Sequence, residues 1–213
     1  MIAIVDYGVG NLFSLKSSLA AIGAEAIVTK DEALIKSAEK IILPGVGAFE
    51  DAMNKLVASG LADVVKDEVS KGKPLMGICL GMQMLFEKSL EYGEHKGLGL
   101  IPGEVIPIGD VIPADLKIPH IGWNALKFKC ENPLFKYIND GDCVYFVHSY
   151  YAAKCDDYVT ATAEYGAELT AAVRNGNVFG CQFHPEKSGE VGLKILKAPL
   201  IKGINSIHYL NNA

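Results

Sequence analysis

No apolar run in the chain approaches the length needed to cross a bilayer, which leaves no candidate membrane-spanning helix. There is no basic footprint: the formal net charge is −5 at pH 7, the wrong sign for a nucleic-acid partner. Cysteine is sparse and unpatterned. Five are present, an odd number with no Cys-x-x-Cys, which argues for reduced thiols rather than a disulfide framework or a zinc site. The opening Met1-Ile2-Ala3-Ile4-Val5-Asp6 lacks a basic n-region and reads as a first strand, not a signal peptide. Internal repeats and low-complexity tracts are absent. These absences lead to the expectation of a soluble, cytoplasmic protein with no nucleic-acid or membrane partner and with neither metal nor cofactor. What is there is apolar and turn-rich: half of the 213 residues are hydrophobic and 22 are glycine, which fits a single α/β domain over residues 1–213 with a full core.

Residues 2–5 form a strand, and Asp6-Tyr7-Gly8-Val9-Gly10-Asn11 turns at its carboxyl end. Leu12, Leu15, Leu19 and Ile22 mark one helical face, closed by Gly23. Gly8-x-Gly10 begins like a dinucleotide fingerprint, but Phe13 stands where the third glycine belongs. A tight strand-to-helix turn accounts for both glycines better, and a nicotinamide oxidoreductase falls with the missing one. Residues 24–28 and 40–43 are the next strands, the latter ending in Pro44-Gly45-Val46-Gly47-Ala48. Phe49, Met53, Leu56 and Val57 define a helix, and Leu61, Val64, Val65 and Val69 another. This alternation predicts a largely parallel sheet covered on both faces, with ligands bound beyond the carboxyl ends of its strands. After Glu87, glycines and prolines punctuate short β-like pieces, residues 104–108 the clearest, as a small antiparallel excursion within the domain. Strands follow at 125–128, 142–147, 158–163, 170–173 and 178–183. Ser188 caps a last helix carrying Val191, Ile195 and Leu196.

Residues 73–83 organise the chain. Residues 74–78 are an apolar strand, and from Leu80 the pattern turns helical with Met84 and Leu85 continuing the face. Between them, Gly77-x-Cys79-x-Gly81 has the spacing of a nucleophile elbow with cysteine in place of serine. The sharp turn needs small residues two positions either side, and it sets the sulfur over the helix N-terminus, where the dipole and the Leu80 N–H favour a thiolate and an oxyanion beside it. The same spacing suits a buried cysteine between packing glycines, and the local pattern does not choose between the two. A thiolate needs a base, and the base an orienting group. His184-Pro185-Glu186 supplies both at another strand end, with the proline fixing the backbone between them. Pro44-Gly45-Val46-Gly47 can aim backbone N–H groups at an oxyanion. Taken alone, His-Pro-Glu is a surface strand end and the glycine loop a turn; together with the cysteine they form a constellation.

That constellation, with Gly77-Ile78-Cys79-Leu80-Gly81-Met82-Gln83 at its centre, resembles the class I (triad) glutamine amidotransferases. The blocks Asp6 to Leu12, Leu43 to Phe49, Pro119-His120-Ile121-Gly122-Trp123-Asn124, Tyr145-Phe146-Val147-His148-Ser149-Tyr150 and His184 to Ser188 resemble, within that family, the glutaminase subunits of imidazole glycerol phosphate synthase. The resemblance covers nearly the whole chain and implies a flavodoxin-like α/β fold. It implies that Cys79 attacks the side-chain amide of glutamine, that His184 and Glu186 complete the triad, and that Gly45, Val46, Gly47 and Leu80 serve the oxyanion. It places Gln83, Ser149 and Tyr150 on the substrate. It implies a (β/α)8-barrel cyclase partner, in a heterodimer, which takes the ammonia without release. That partner makes imidazole glycerol phosphate and aminoimidazole carboxamide ribotide in histidine biosynthesis. Asn11, Trp123, Asn124, Tyr145 and Lys187 are then candidate partner contacts, with Trp123, the one tryptophan, as anchor or as a buried core residue. His120 and His148 are expected to be structural or interfacial. Val46 between two glycines allows a peptide to flip.

Competing readings are a glutaminase serving another synthase (anthranilate, guanylate or pyridoxal phosphate), a cysteine hydrolase or deglycase-like protein on the same sheet, and a silent scaffold. The subfamily blocks speak against the first, His-Pro-Glu together with Gln83 against the second, and the intact triad against the third.

Overall fold

A computed structural model describes residues 1–198; the tail from Pro199 to Ala213, part of a stretch with no usable motif, lies outside the described residues. Ile2–Val5 (β1) leads into Leu12–Ala21 (α1), whose N-terminus is capped by the Asn11 side chain accepting from the Ser14 N–H. Gly23 ends the helix in the left-handed region at φ +73° and donates to Ala20. Ala24 still belongs to that exit, its N–H bonded to the Leu19 carbonyl, so the second strand starts later than expected, at Ala26–Thr29 (β2). Asp31 then caps a helix that the periodicity does not reveal, Glu32–Ser37 (α2); six residues with one buried side chain, Ile35, give no repeating face.

Lys40–Leu43 (β3) falls where expected. Phe49–Ala58 (α3) buries Phe49, Met53 and Leu56, and Leu61–Ser70 (α4) buries Leu61, Val64, Val65 and Val69. Val57, which the spacing puts on the same face, is 60% exposed, because its step of roughly 100° from Leu56 carries it past the buried edge. Leu75–Ile78 (β4) enters the elbow, but the helix beyond is a single turn, Leu80–Gln83 (α5), and does not continue through Leu85. The carbonyls of Met84 and Leu85, which a longer helix would use, accept instead from Leu98 and Leu100. The chain leaves as Phe86–Ser89 (β5).

His95–Lys96 (β6), Ile101–Pro107 (β7) and, after two strands described below, Tyr150–Ala153 (β10) complete a second sheet in the order β10-β7-β5-β6. It is antiparallel apart from the β5–β7 pair. It shares a core with α3 and α4 through Leu98, Ile101 and Val105, as an excursion within the domain. His120–Phe128 (β8), Cys143–His148 (β9), Val159–Glu164 (β11), Glu168–Asn175 (β12) and Val178–Cys181 (β13) build the rest of the main sheet, and Gly189–Lys197 (α6) follows. The main sheet runs β2-β1-β3-β4-β13-β12-β11-β8-β9. Its first five strands are parallel and the other four antiparallel. One face packs against α2, α3 and α4, the other against α1 and α6. The β8 strand opens five residues earlier than expected because the whole of His120 to Ala125 pairs with β9.

Three glycines bring the strand ends together. A Cβ on Gly81 would lie 1.9 Å from the Leu43 carbonyl oxygen, one on Gly77 2.6 Å from the Gly81 oxygen, and one on Gly45 2.7 Å from the Gly81 nitrogen. Backbone meets backbone at each point, so none of the neighbours can swing away. Gly176 offers the contrast: it sits at φ +58° with open space around it. Ala at position 176 is expected to cost about 1–2 kcal/mol of backbone strain, and Gly81→Ala, with no unfavourable φ, more than that through overlap. Urea unfolding of the two variants checks the order, and equal midpoints would contradict the close packing.

Candidate active site

Cys79 occupies φ +55°, ψ −112°, a conformation that costs a non-glycine residue about 1–3 kcal/mol. It is held there from both sides: its N–H donates to the Cys181 carbonyl at 2.8 Å, and its carbonyl accepts from Gln83 N–H at 3.1 Å. The strained turn delivers the sulfur to a cavity of about 420 Å³ beyond the carboxyl ends of the parallel strands. Since α5 is one turn long, the expected dipole support shrinks to the unpaired N–H groups of that turn, Leu80 foremost.

His184 reaches the same cavity from the loop after β13. Its Nδ1 lies 2.8 Å from Glu186 Oε1, and both side chains are almost wholly buried. The intervening proline opens a 3-10 turn, Pro185–Lys187, which folds the carboxylate back onto the ring. Burial disfavours the charged imidazole. Hydrogen bonds to Cys79 and Glu186, reinforced by their charges, outweigh it and raise the His184 pKa to about 9. The His184 backbone is equally fixed: its N–H donates to Tyr145 O at 2.9 Å, and its carbonyl accepts from Ser188 Oγ at 2.6 Å. Ser188 Oγ also accepts from Tyr145 N–H, so it does not cap α6 as expected. A thiol, an imidazole and a carboxylate so arranged can supply a nucleophile, a proton shuttle and an orienting group.

Of the glycine loop, Val46 and Gly47 line the cavity beside Cys79 and Leu80, whereas Gly45 lies beneath, packed on Gly81. The two glycines have different reasons to be there: Gly45 permits the close approach, and Gly47 adopts φ +91°. Tyr7 holds the loop's start, its hydroxyl donating to Pro44 O at 2.7 Å, and burial pushes that hydroxyl's pKa well above its usual value, the charge of a Cys79 thiolate adding to it.

Gln83, Ser149 and Tyr150 all line the cavity. Gln83 is buried rather than solvent-facing, its Nε2 donating to Tyr150 O and to Gln182 Oε1, each at 3.0 Å. Gln182 and Glu91 join the site without having been candidates. Glu91 lines the cavity and accepts from the Phe49 N–H, serving as the side-chain cap that α3 otherwise lacks. Nothing in its local sequence announces this. Gln182 does leave a trace, as the one amide in the apolar run 178–183. Among the described residues no group of three or more His, Cys, Asp or Glu side chains could hold a metal ion.

The expected partner contacts fall around the rim or behind it. Trp123 is 55% exposed and meets Tyr145 edge-on at 5.9 Å; the Lys187 ammonium stands 5.9 Å over the same Tyr145 ring. Trp123 is therefore not a core residue, and Ile121 is exposed on the same face of β8. Lys187 also lines the cavity. Asn11 caps α1. Asn124 donates to Glu164 O and meets His120 Nε2 at 2.7 Å. His120 stacks between Phe146 and Tyr165 and meets His148, whose Nδ1 bonds Tyr150 O at 2.8 Å. Burial lowers the His148 pKa to about 4, so the ring is neutral and structural, although it edges the cavity.

Two predictions follow from the base and its anchors. Below pH 6.5 folded and unfolded chains both carry the His184 proton, and its stabilisation is complete; it is lost as pH rises through about 9. Thermal unfolding midpoints should fall across that window, and the fall should be absent in His184→Gln. Ser188→Ala removes a buried hydroxyl with two partners. It should lower stability by about 1–3 kcal/mol in urea titration, and a neutral result would contradict its anchoring role.

Comparisons with known proteins agree with this geometry. Residues 3–202 match the family described as glutamine amidotransferase class-I. The chain is 52% identical over 198 residues (92% of this chain, 96% of the relative) to the imidazole glycerol phosphate synthase subunit HisH of Caldanaerobacter subterraneus. It is 49% identical over 213 residues (97% and 100%) to the same-named subunit of a Geobacillus species. Among solved structures, a glutamine amidotransferase superposes with a TM-score of 0.73 at 21% identity, over 94% of this chain and 98% of that one. PurLQS from Thermotoga maritima superposes at 0.69 and 24% identity, over 92% and 95%. The chain belongs to the class I glutamine amidotransferase family.

Proposed function

We propose that this protein is the glutaminase subunit of imidazole glycerol phosphate synthase, a single domain over residues 1–213 that acts in histidine biosynthesis in the cytoplasm. The relatives' shared name supports the pathway. The observation that carries the chemistry is Cys79, strained into a cavity that His184 also lines, with Glu186 holding the His184 ring at 2.8 Å.

The Cys79 thiolate attacks the side-chain amide carbon of glutamine. Negative charge builds on the amide oxygen beside the Leu80 N–H and the Val46 and Gly47 backbone that lines the cavity. As the C–N bond breaks, His184 gives its proton to the departing nitrogen and ammonia leaves. Water, deprotonated by His184, then attacks the γ-glutamyl thioester, releasing glutamate and restoring the thiolate. Glu186 keeps the imidazole oriented throughout. Gln83, Ser149 and Tyr150 hold the substrate's amino-acid end, and the anionic Glu91 at the cavity wall suits its ammonium.

Free ammonia in water takes up a proton and stops being a nucleophile, so it must pass directly to the enzyme that uses it. The partner is a (β/α)8-barrel cyclase subunit, docked over the rim as a heterodimer. Trp123, exposed beside Tyr145 and Lys187, anchors it, and Asn11 and Asn124 are further contacts in this proposal.

Glutamate release is the test, with the protein alone and mixed with a histidine-pathway cyclase subunit and its ribotide ligand. Turnover should rise strongly in the full mixture and fall at least about 10³-fold in Cys79→Ala. High turnover indifferent to the cyclase would leave the triad standing and overturn the pathway; no turnover under any condition would overturn the enzyme reading.

A further inference from the structure

We propose that Gln182 is a positioning residue that holds the Cys79 sulfur as a thiolate, and that Gln83 fixes Gln182 for this task. Gln182 follows β13 and is fully buried, its N–H bonded to the Ala171 carbonyl at 2.8 Å. Its Nε2 lies 3.7 Å from Cys79 Sγ, at hydrogen-bonding distance for sulfur. Its Oε1 accepts from Gln83 Nε2 at 3.0 Å, and the same Gln83 nitrogen donates to Tyr150 O at 3.0 Å.

The direction of both amides follows from one fixed point. A backbone carbonyl can only accept, so Gln83 turns its NH2 group toward Tyr150 O. The second proton of that group then points at Gln182, which must answer with its oxygen. Reversing Gln182 would set two NH2 groups face to face. Gln182 is thereby obliged to present its own NH2 group to the sulfur, and it cannot turn away.

An amide in this place is costly unless every group is used, and an apolar side chain would suit neighbours such as Cys181 and Phe183. The amide discriminates between the two states of the cysteine. An N–H donor bonds a charged sulfur strongly and a neutral thiol weakly, while the thiol's contact with the Val147 carbonyl is long, at 4.0 Å. Gln83 lines the cavity, so the substrate's seat and the nucleophile share one amide pair. The inference rests on Cys79 being the nucleophile proposed above.

Alkylation of Cys79 by iodoacetamide tests it in the full chain as a function of pH. Peptide mass spectrometry separates Cys79 from the exposed Cys130 and Cys143. Gln182→Met keeps length and volume but donates no hydrogen bond and is only a weak acceptor. Its alkylation midpoint should move up by about one pH unit. In the cyclase mixture kcat should fall about tenfold, for the loss of one hydrogen bond to a charged group, with KM changed less than about twofold. Gln83→Met, which frees Gln182 to turn, should shift the midpoint the same way by less. An unmoved midpoint in Gln182→Met with a normal circular dichroism spectrum overturns the proposal; if that variant does not fold, an unmoved midpoint in Gln83→Met overturns it. Alkylation requires no glutamine turnover, so a failed glutaminase assay leaves this readout standing.

Discussion

The peptide of Gly81 lies against the Leu43 carbonyl with no room for a methyl group between them, and Gly45 and Gly77 close in on Gly81 from either side. This backbone contact fixes where the end of β3 stands relative to the end of β4. The loop at residues 44–47 is thereby seated beside Cys79. The contact also accounts for the shape of the elbow. With Gly77 and Gly81 locked, the chain between them has one path, and Cys79 takes the left-handed conformation that path demands. Strain at one residue is sustained by close packing at three others.

A second constraint is electrostatic. His184 and Glu186 are taken almost completely out of water, which neither would tolerate alone. They are kept by each other, by Cys79 beside the ring, and by Tyr145 and Ser188 on the backbone of His184, while Glu186 Oε2 is buried without a hydrogen-bond partner. Ser188 and Tyr145 thus tie the base to β9, the strand whose continuation at Ser149 and Tyr150 forms the cavity wall. The triad and the substrate pocket are parts of one bonded frame.

How much of this could be seen in the sequence depends on the range of the interaction. Residues set by local rules were legible: the strand at 40–43, the capped first helix, the Gly-x-Cys-x-Gly turn, and the His-Pro-Glu pair whose partners are two positions apart. Pairings across the fold were not. The length of α5 was hidden because Leu98 and Leu100 claim the carbonyls that would have continued it. Glu91 meets Phe49, and Gln182 meets Gln83 and Cys79, only after the sheets assemble. Ser188 reads as a helix cap because that is its local use; the carbonyl of His184 offered it a better partner. Trp123 could have been core or surface, since the alternation of β8 shows which residues share a face but not which face is covered.

The place of β13 has a consequence for the order in which the molecule comes into being. This strand is the last among the described residues, yet it lies in the middle of the main sheet, between β4 and β12. During synthesis the N-terminal strands leave the ribosome first, with Cys79 among them, while the centre of the sheet stays open. Only when the segment from Val178 to His184 has emerged can β13 insert, join the two halves and bring His184 to the sulfur. Such distant pairing is slow to form. A nascent or truncated chain therefore holds the cysteine without its base, and the ability to liberate ammonia is acquired as one of the last acts of folding.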